Sequence, residues 1–135
     1  MKSDIDFPKV SGVLVVVVLK KDDHSLENGW YAYILNRNEV EIKNVMVSSK
    51  GYGFINEEKR STSVLRHFIG NIEPGGYALI EPISDDVLPL NNEFWVSYYM
   101  NESLFDKKFI FVPDSIVVEN TFTIPELNLQ GVVHS

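Results

Sequence analysis

Short apolar runs alternate with clusters of turn-forming residues along the whole chain. Seven segments show either the two-residue period of a half-buried strand or the unbroken apolar run of a buried one: residues 12–20, 30–36, 42–48, 62–69, 77–83, 93–100 and 107–112. The separators carry turn chemistry. They are Asp22-Asp23 with Asn28-Gly29, Asn36-Arg37-Asn38, residues 51–58, Pro74-Gly75-Gly76, Asn91-Asn92 and Asn101-Glu102. Strands spaced about ten residues apart predict an all-β domain, an antiparallel immunoglobulin-like sandwich of about seven to nine strands. No segment keeps a helical period over three turns, and one short helical turn is expected around Pro125-Glu126-Leu127.

The alternation also assigns faces. In residues 30–35, Trp30, Ala32 and Ile34 share one side and Tyr31, Tyr33 and Leu35 the other. In residues 93–99, Phe94, Val96 and Tyr98 oppose Trp95, Ser97 and Tyr99. Aromatic residues on both sides predict strands that are central in their sheets or covered by a loop. The C-terminal stretch holds Ile116, Val118, Phe122, Ile124, Leu127, Leu129, Val132 and Val133, enough to pack back on the core as an extra strand or belt.

With 135 residues, the chain has the size of one domain with a real core. At 44% hydrophobic and 23% charged it is an ordinary globular sequence. It has no cysteine, which excludes a disulfide framework, a thiolate metal site and a cysteine nucleophile. The start, Met1-Lys2-Ser3-Asp4-Ile5-Asp6, leads to Pro8 without an apolar signal region. The run Val13-Leu14-Val15-Val16-Val17-Val18-Leu19 is too short for a membrane helix, which takes about 20 residues. Its β-branched content reads as a buried central strand. A cytoplasmic protein without a membrane segment is the expectation.

The net charge of −7 is unevenly spread. Residues 1–70 hold ten Lys and Arg against nine Asp and Glu, whereas residues 71–135 hold two against ten. Between positions 43 and 66 the balance is positive, with Lys43, Lys50, Lys59, Arg60 and Arg66 against Glu57 and Glu58. An acidic protein can therefore present one mildly basic surface.

That surface includes Lys50-Gly51-Tyr52-Gly53-Phe54-Ile55. Two aromatic residues two positions apart on a strand point to one side, where unpaired bases can stack, and a neighbouring lysine can meet phosphate. The segment resembles the first six positions of the RNP1 motif of RNA-recognition domains and the corresponding strand of cold-shock domains. Val64-Leu65-Arg66-His67-Phe68 is similar to the second cold-shock motif, with Leu65 where that family has a stacking Phe. The departures are an upstream strand, Asn44-Val45-Met46-Val47-Ser48, with no aromatic residue, and Glu57 where RNP1 ends on an aromatic. The competing reading is a glycine-rich hairpin between two sandwich strands, with Tyr52 and Phe54 as an aromatic corner.

Two further resemblances bear on fold and family. Residues 33–82, ending in Ile72-Glu73-Pro74-Gly75-Gly76-Tyr77-Ala78-Leu79-Ile80-Glu81-Pro82, resemble bacterial immunoglobulin-like modules of the FxLYD kind, with Ile72-Glu73-Pro74-Gly75 at the turn into the second sheet. The whole chain resembles a small bacterial family of similar length, some members of which carry the label phenylalanyl-tRNA synthetase alpha subunit. A synthetase subunit needs an adenylate site with motif arginines on a large sheet, and this chain has only Arg37, Arg60 and Arg66. The resemblance implies a family and no activity.

Other chemistry is sparse. His24, His67 and His134 are not at metal-ligand spacing. Asp22-Asp23 and Asp85-Asp86 are paired carboxylates in turn-forming segments, and the first lacks calcium-loop spacing. There is no Gly-x-Ser-x-Gly elbow and no phosphate loop. No cofactor or metal is implied. The expectation is a non-catalytic domain that binds a protein partner, or itself, through an edge strand or the aromatic corner. Tyr52, Phe54, Arg66 and Phe68 are its contact residues, with Lys50 and Lys59 at the rim. Single-stranded nucleic acid binding through the same residues is the second reading. An enzyme assembled from distant residues is the third, and a deep pocket holding His67 beside a carboxylate would favour it.

Overall fold

The computed structural model describes residues 11–21 and 27–135. The expectations for Met1–Asp6, Pro8, Asp22-Asp23 and His24 lie outside the described residues. Ten strands form two antiparallel sheets: β1 (Val13–Lys21), β2 (Asn28–Asn36), β3 (Ile42–Ile55), β4 (Glu58–Ser61), β5 (Leu65–Ile72), β6 (Tyr77–Ile83), β7 (Asn91–Met100), β8 (Ser103–Phe111), β9 (Phe122–Ile124) and β10 (Leu129–His134). The first sheet runs β6-β2-β1-β10-β9. The second runs β4-β3-β7-β8, with β5 on the same edge of β3 as β4. Placing β6 beside β2 and β1, opposite β3-β7-β8, is the strand order of an immunoglobulin-like sandwich. A strand that could have flanked β6 instead sits beyond β3.

The core forms where the inner faces meet. Val13, Val15, Val17, Ala32, Ile34 and Val132 of the first sheet pack against Val45, Val47, Phe94, Val96, Tyr98 and Phe109 of the second. Alternation explains the selection, because each of these positions is two residues from the next on its strand. The outer face of β1 is also buried. Leu14, Val16 and Val18 lie in a second cluster with Tyr33, Leu35 and Ile124, and Leu127 and Leu129 pack against it. The apolar C-terminal stretch therefore supplies both an additional pair of strands and a cover. In place of a helix, residues 124–128 form a hydrogen-bonded turn, with the amides of Leu127 and Asn128 both donating to the Ile124 carbonyl. The only helical pieces among the described residues are single 3-10 turns at Asp85–Val87 and Val118–Asn120, so no helix there is long and apolar enough to cross a membrane.

Three turn assignments change. Asn28 and Gly29 open β2, paired with Lys21 and Lys20 of β1. Residues 51–55 belong to β3, and the β3–β4 reversal falls at Asn56 and Glu57, both left-handed at φ 51° and 67°. Asn101 and Glu102 repeat this geometry between β7 and β8, at φ 50° and 66°. Two left-handed residues in a row make the tight turn whose twist matches paired strands, and asparagine is among the side chains that tolerate it. Asn91-Asn92 likewise lies inside β7. Its Asn92 side chain donates to the carbonyls of Val87 and Leu90 and ties the incoming loop to the strand.

A fully buried asparagine fixes one end of the sandwich. Asn36 Nδ2 donates to the carbonyls of Val40, Ile72 and Glu73, while its Oδ1 accepts from the Asn38 amide. Its backbone exchanges hydrogen bonds with Gly75 and Gly76. One side chain thus satisfies the exposed carbonyls of three segments where β2, β5 and the Pro74-Gly75 turn converge.

Candidate functional site

The six contact residues read from the sequence all lie on the outer face of the second sheet, but in two groups. Along β3, Val45, Val47 and Ser49 are buried, so Met46, Ser48, Lys50, Tyr52 and Phe54 take the opposite, outer side. Phe54 pairs with Lys59 near the β3–β4 turn. On β5, Arg66 stands opposite Ser48 and Phe68 opposite Met46. Met46 and Phe54 are eight positions apart on one strand, or roughly 26 Å. The hairpin group and the β5 group are therefore separate ends of one face.

The hairpin group is not a free stacking platform. Lys50 Nζ lies 3.8 Å from Glu93 Oε2, and the Tyr52 hydroxyl donates to Glu93 Oε1 at 3.4 Å. Glu93, paired with Lys50 across β3 and β7, is buried beneath them. Burial raises the Tyr52 pKa, and the Glu93 charge and hydrogen bond raise it further. Lys50 also lies over the Tyr52 ring at 5.5 Å. Gly51 and Gly53 occupy inner positions of the strand. A Cβ on Gly51 would stand 3.2 Å from Thr62 Cγ2, and Gly53 adopts φ +147° beside Leu90.

The other end is more open. Phe68, Leu104, Met46, Trp95 and Tyr99 are all exposed, from 69% at Phe68 to 44% at Tyr99. Strand pairing places them together. Phe68 faces Met46, Met46 faces Ser97, and Tyr99 faces Leu104. Met46, Trp95 and Leu104 line a shallow depression of about 350 Å³ with Ser48, Arg66, Ser97 and Asp106. Its rim is charged: Lys108 Nζ lies 4.6 Å from the Trp95 ring centre, and Arg66 and Asp106 flank it. Trp95 and Tyr99 share a face in the sequence alternation. Met46 and Leu104 carry no signal of their own, because alternation assigns a face without saying which face is left uncovered.

A second polar cluster sits between the sheets. Ser49 Oγ donates to Glu81 Oε1 at 2.5 Å, and His67 Nε2 is 2.7 Å from the same oxygen. The tautomer that carries its proton on Nε2 is the one that donates to this carboxylate oxygen. Glu81 is on β6 and His67 on β5, and each strand is an edge of its own sheet. A cleft of about 350 Å³ opens beside them, lined by Ser49, Thr62, Leu65, Glu81, Ile83 and Phe94 among others. His67 thus lies beside a carboxylate, but it is not one of the residues that line the cleft, where the enzyme reading asks for a deep pocket holding it. The order is wrong for a nucleophile, since the carboxylate stands between serine and imidazole and Ser49 is buried. Among the described residues, no three His, Asp or Glu side chains are grouped to hold a metal ion.

Fold and face together define a two-sheet β-sandwich whose second sheet leaves apolar outer side chains exposed among the described residues. No family model, curated protein or solved structure matches the chain.

Proposed function

We propose that the chain is a non-catalytic binding domain whose outer face on β3, β5, β7 and β8 contacts a protein partner. One contrast carries this reading. The C-terminal stretch covers the centre of the first sheet's outer face with Ile124, Leu127 and Leu129, leaving Tyr77 and Leu79 exposed at its β6 edge, whereas Phe68, Met46, Trp95, Tyr99 and Leu104 on the second have no such cover among the described residues. Contiguous exposed apolar side chains with a polar rim mark protein contact surfaces. Trp, Tyr, Phe, Met and Arg are the residue types enriched there. Phe68 and Arg66 remain contact residues on this reading, Met46, Trp95 and Leu104 join them, and Phe54 with Lys59 forms an outlying corner.

A nucleic-acid platform is less well supported. It needs Lys50 and Tyr52 free, yet both are turned onto Glu93, and a buried carboxylate beneath the platform repels phosphate.

The double variant Met46→Ser/Phe68→Ser tests the proposal. It should keep the wild-type denaturation midpoint, because both side chains are exposed. In an extract of the source cells, the wild-type chain should migrate in a complex larger than itself and the variant as the free chain. Identical migration would overturn the reading. Salt-sensitive binding of short oligonucleotides by the purified chain, read by fluorescence anisotropy, would replace it with the nucleic-acid one.

A further inference from the structure

We infer that the chain self-associates through β8, two copies pairing antiparallel along that strand to make one continuous sheet. The inference starts from the four sheet edges. The β6 edge is blunted by an exposed Pro82, an inward-facing Glu81 and a register shift opposite Ala32 and Tyr33. The β9 edge is three residues long. The β4 and β5 edge is broken into two strands, with further register shifts between Ile42 and Met46. The β8 edge differs from these. Its pairing with β7 runs without a shift from Asn92 and Phe111 to Met100 and Ser103, and β8 contains no proline or glycine. No described strand pairs with its other side. A regular strand edge with no partner strand among the described residues is a template for another strand.

The sequence of β8 selects a second copy of itself as that strand. About a two-fold axis at Lys107, Asp106 faces Lys108 of the second copy, and Lys108 faces its Asp106. On the same outer face Leu104 meets Ile110, while on the inner face Phe105 and Phe109 stand opposite each other but are already buried within each copy. Both outer pairs occur twice, as an isologous interface requires. Opposite charges and paired apolar side chains directly across an antiparallel ladder are stabilising. Asp106 makes no ion pair or hydrogen bond through its side chain among the described residues, so its charge is available. The one like-charged contact, Lys107 against itself, is relieved within each copy. Lys107 Nζ donates to the Ser135 carbonyl oxygen at 2.7 Å and lies 5.0 Å from the Phe109 ring centre. The inference shares Leu104, Asp106 and Lys108 with the border of the proposed partner face, whose Met46 and Phe68 lie on the far side of β7.

Sedimentation equilibrium of the purified full chain tests this through a charge swap. The wild type should show a monomer–dimer equilibrium. Asp106→Lys and Lys108→Asp each replace two attractive pairs by two repulsive ones and should weaken the dimer about tenfold. The double variant D106K/K108D restores opposite charges and should recover the wild-type constant. The Met46→Ser/Phe68→Ser variant should dimerise normally, so this inference and the partner reading fail separately. A wild type that stays monomeric, single reversals without effect, or a double variant no better than the singles would each overturn the β8 pairing.

Discussion

His67 Nε2 stands 2.7 Å from Glu81 Oε1, joining the β5 edge of one sheet to the β6 edge of the other. Ser49 donates to the same oxygen, so the Glu81 carboxylate of the first sheet is tied to two strands of the second. A carboxylate mostly shielded from water is costly without such partners.

Replacing Glu81 by Ala should lower stability by about 1–3 kcal/mol, because Ser49 and His67 lose their shared acceptor. The double variant H67A/E81A should cost less than the sum of the two singles, as expected of residues in one network. Urea denaturation of the three variants measures both effects. Additive losses would show that the two residues act independently.

Tyr98 makes the opposite kind of statement. Its ring stacks on Phe105 with centroids 5.3 Å apart, but its buried hydroxyl has no hydrogen-bond partner among the described residues. Burial pushes its pKa up to about 12 from 10.0. The folded state therefore holds this proton more tightly than the unfolded chain does. Its contribution is full below the unfolded value and is lost progressively as pH rises from about 10 towards about 12. Tyr98→Phe should gain about 1 kcal/mol at neutral pH and remove that part of the alkaline loss. Urea midpoints at pH 7 and pH 11 compare the two proteins.

The junction of β10 with β1 leaves no room for a side chain at Gly131. A Cβ there would lie 2.9 Å from Val18 Cγ1, 3.1 Å from Ile124 Cγ1 and 3.2 Å from the Val17 carbonyl oxygen. Gly131→Ala should cost about 1–3 kcal/mol through overpacking between two well-filled strands. A thermal melt gives the answer, and an unchanged midpoint would mean that β10 is not seated on β1 as described.

Arg37 holds the cover of the first sheet through Glu126, with Nε to Oε2 at 2.7 Å and Nη2 to Oε1 at 3.0 Å. The Arg37 hydrogen bond keeps the Glu126 carboxyl below its usual 4.5, overcoming desolvation by burial, which raises it. A depressed carboxylate stabilises above its unfolded value, and that contribution fades as pH falls through the lowered one. Hydrogen exchange at the Leu127 and Asn128 amides should therefore quicken in acid, relative to amides in β1. In Arg37→Ala this acid-dependent difference should vanish. The pair is partly exposed, so the effect on global stability is small.

The two-residue period of the half-buried strands made the sandwich legible, as did the unbroken apolar run of β1, which is buried on both faces. The C-terminal stretch was legible as a belt from Ile124, Leu127 and Leu129, but its pairing with β1 is a tertiary choice that no local pattern encodes. The β3–β4 reversal was misplaced for a physical reason. Gly51 and Gly53 look like turn residues, yet Gly51 yields space to Thr62 on the inner face, while Asn56 and Glu57 adopt the left-handed turn. The contact face was legible in part. Phe68, Arg66 and the Trp95–Tyr99 side follow from the sequence. Met46 and Leu104 become visible only once the C-terminal belt is known to cover the other sheet.

The central claim is that the outer face of the second sheet is occupied by another protein. Photo-crosslinking in the source cells tests it most directly, with the reactive side chain placed either at Phe68 or at Tyr77. Tyr77 is a comparably exposed aromatic residue on the outer side of the first sheet, at 49% against 69%. The account predicts a discrete crosslinked protein from position 68 and none from position 77. Crosslinks of equal yield from both positions, or from neither, would contradict it.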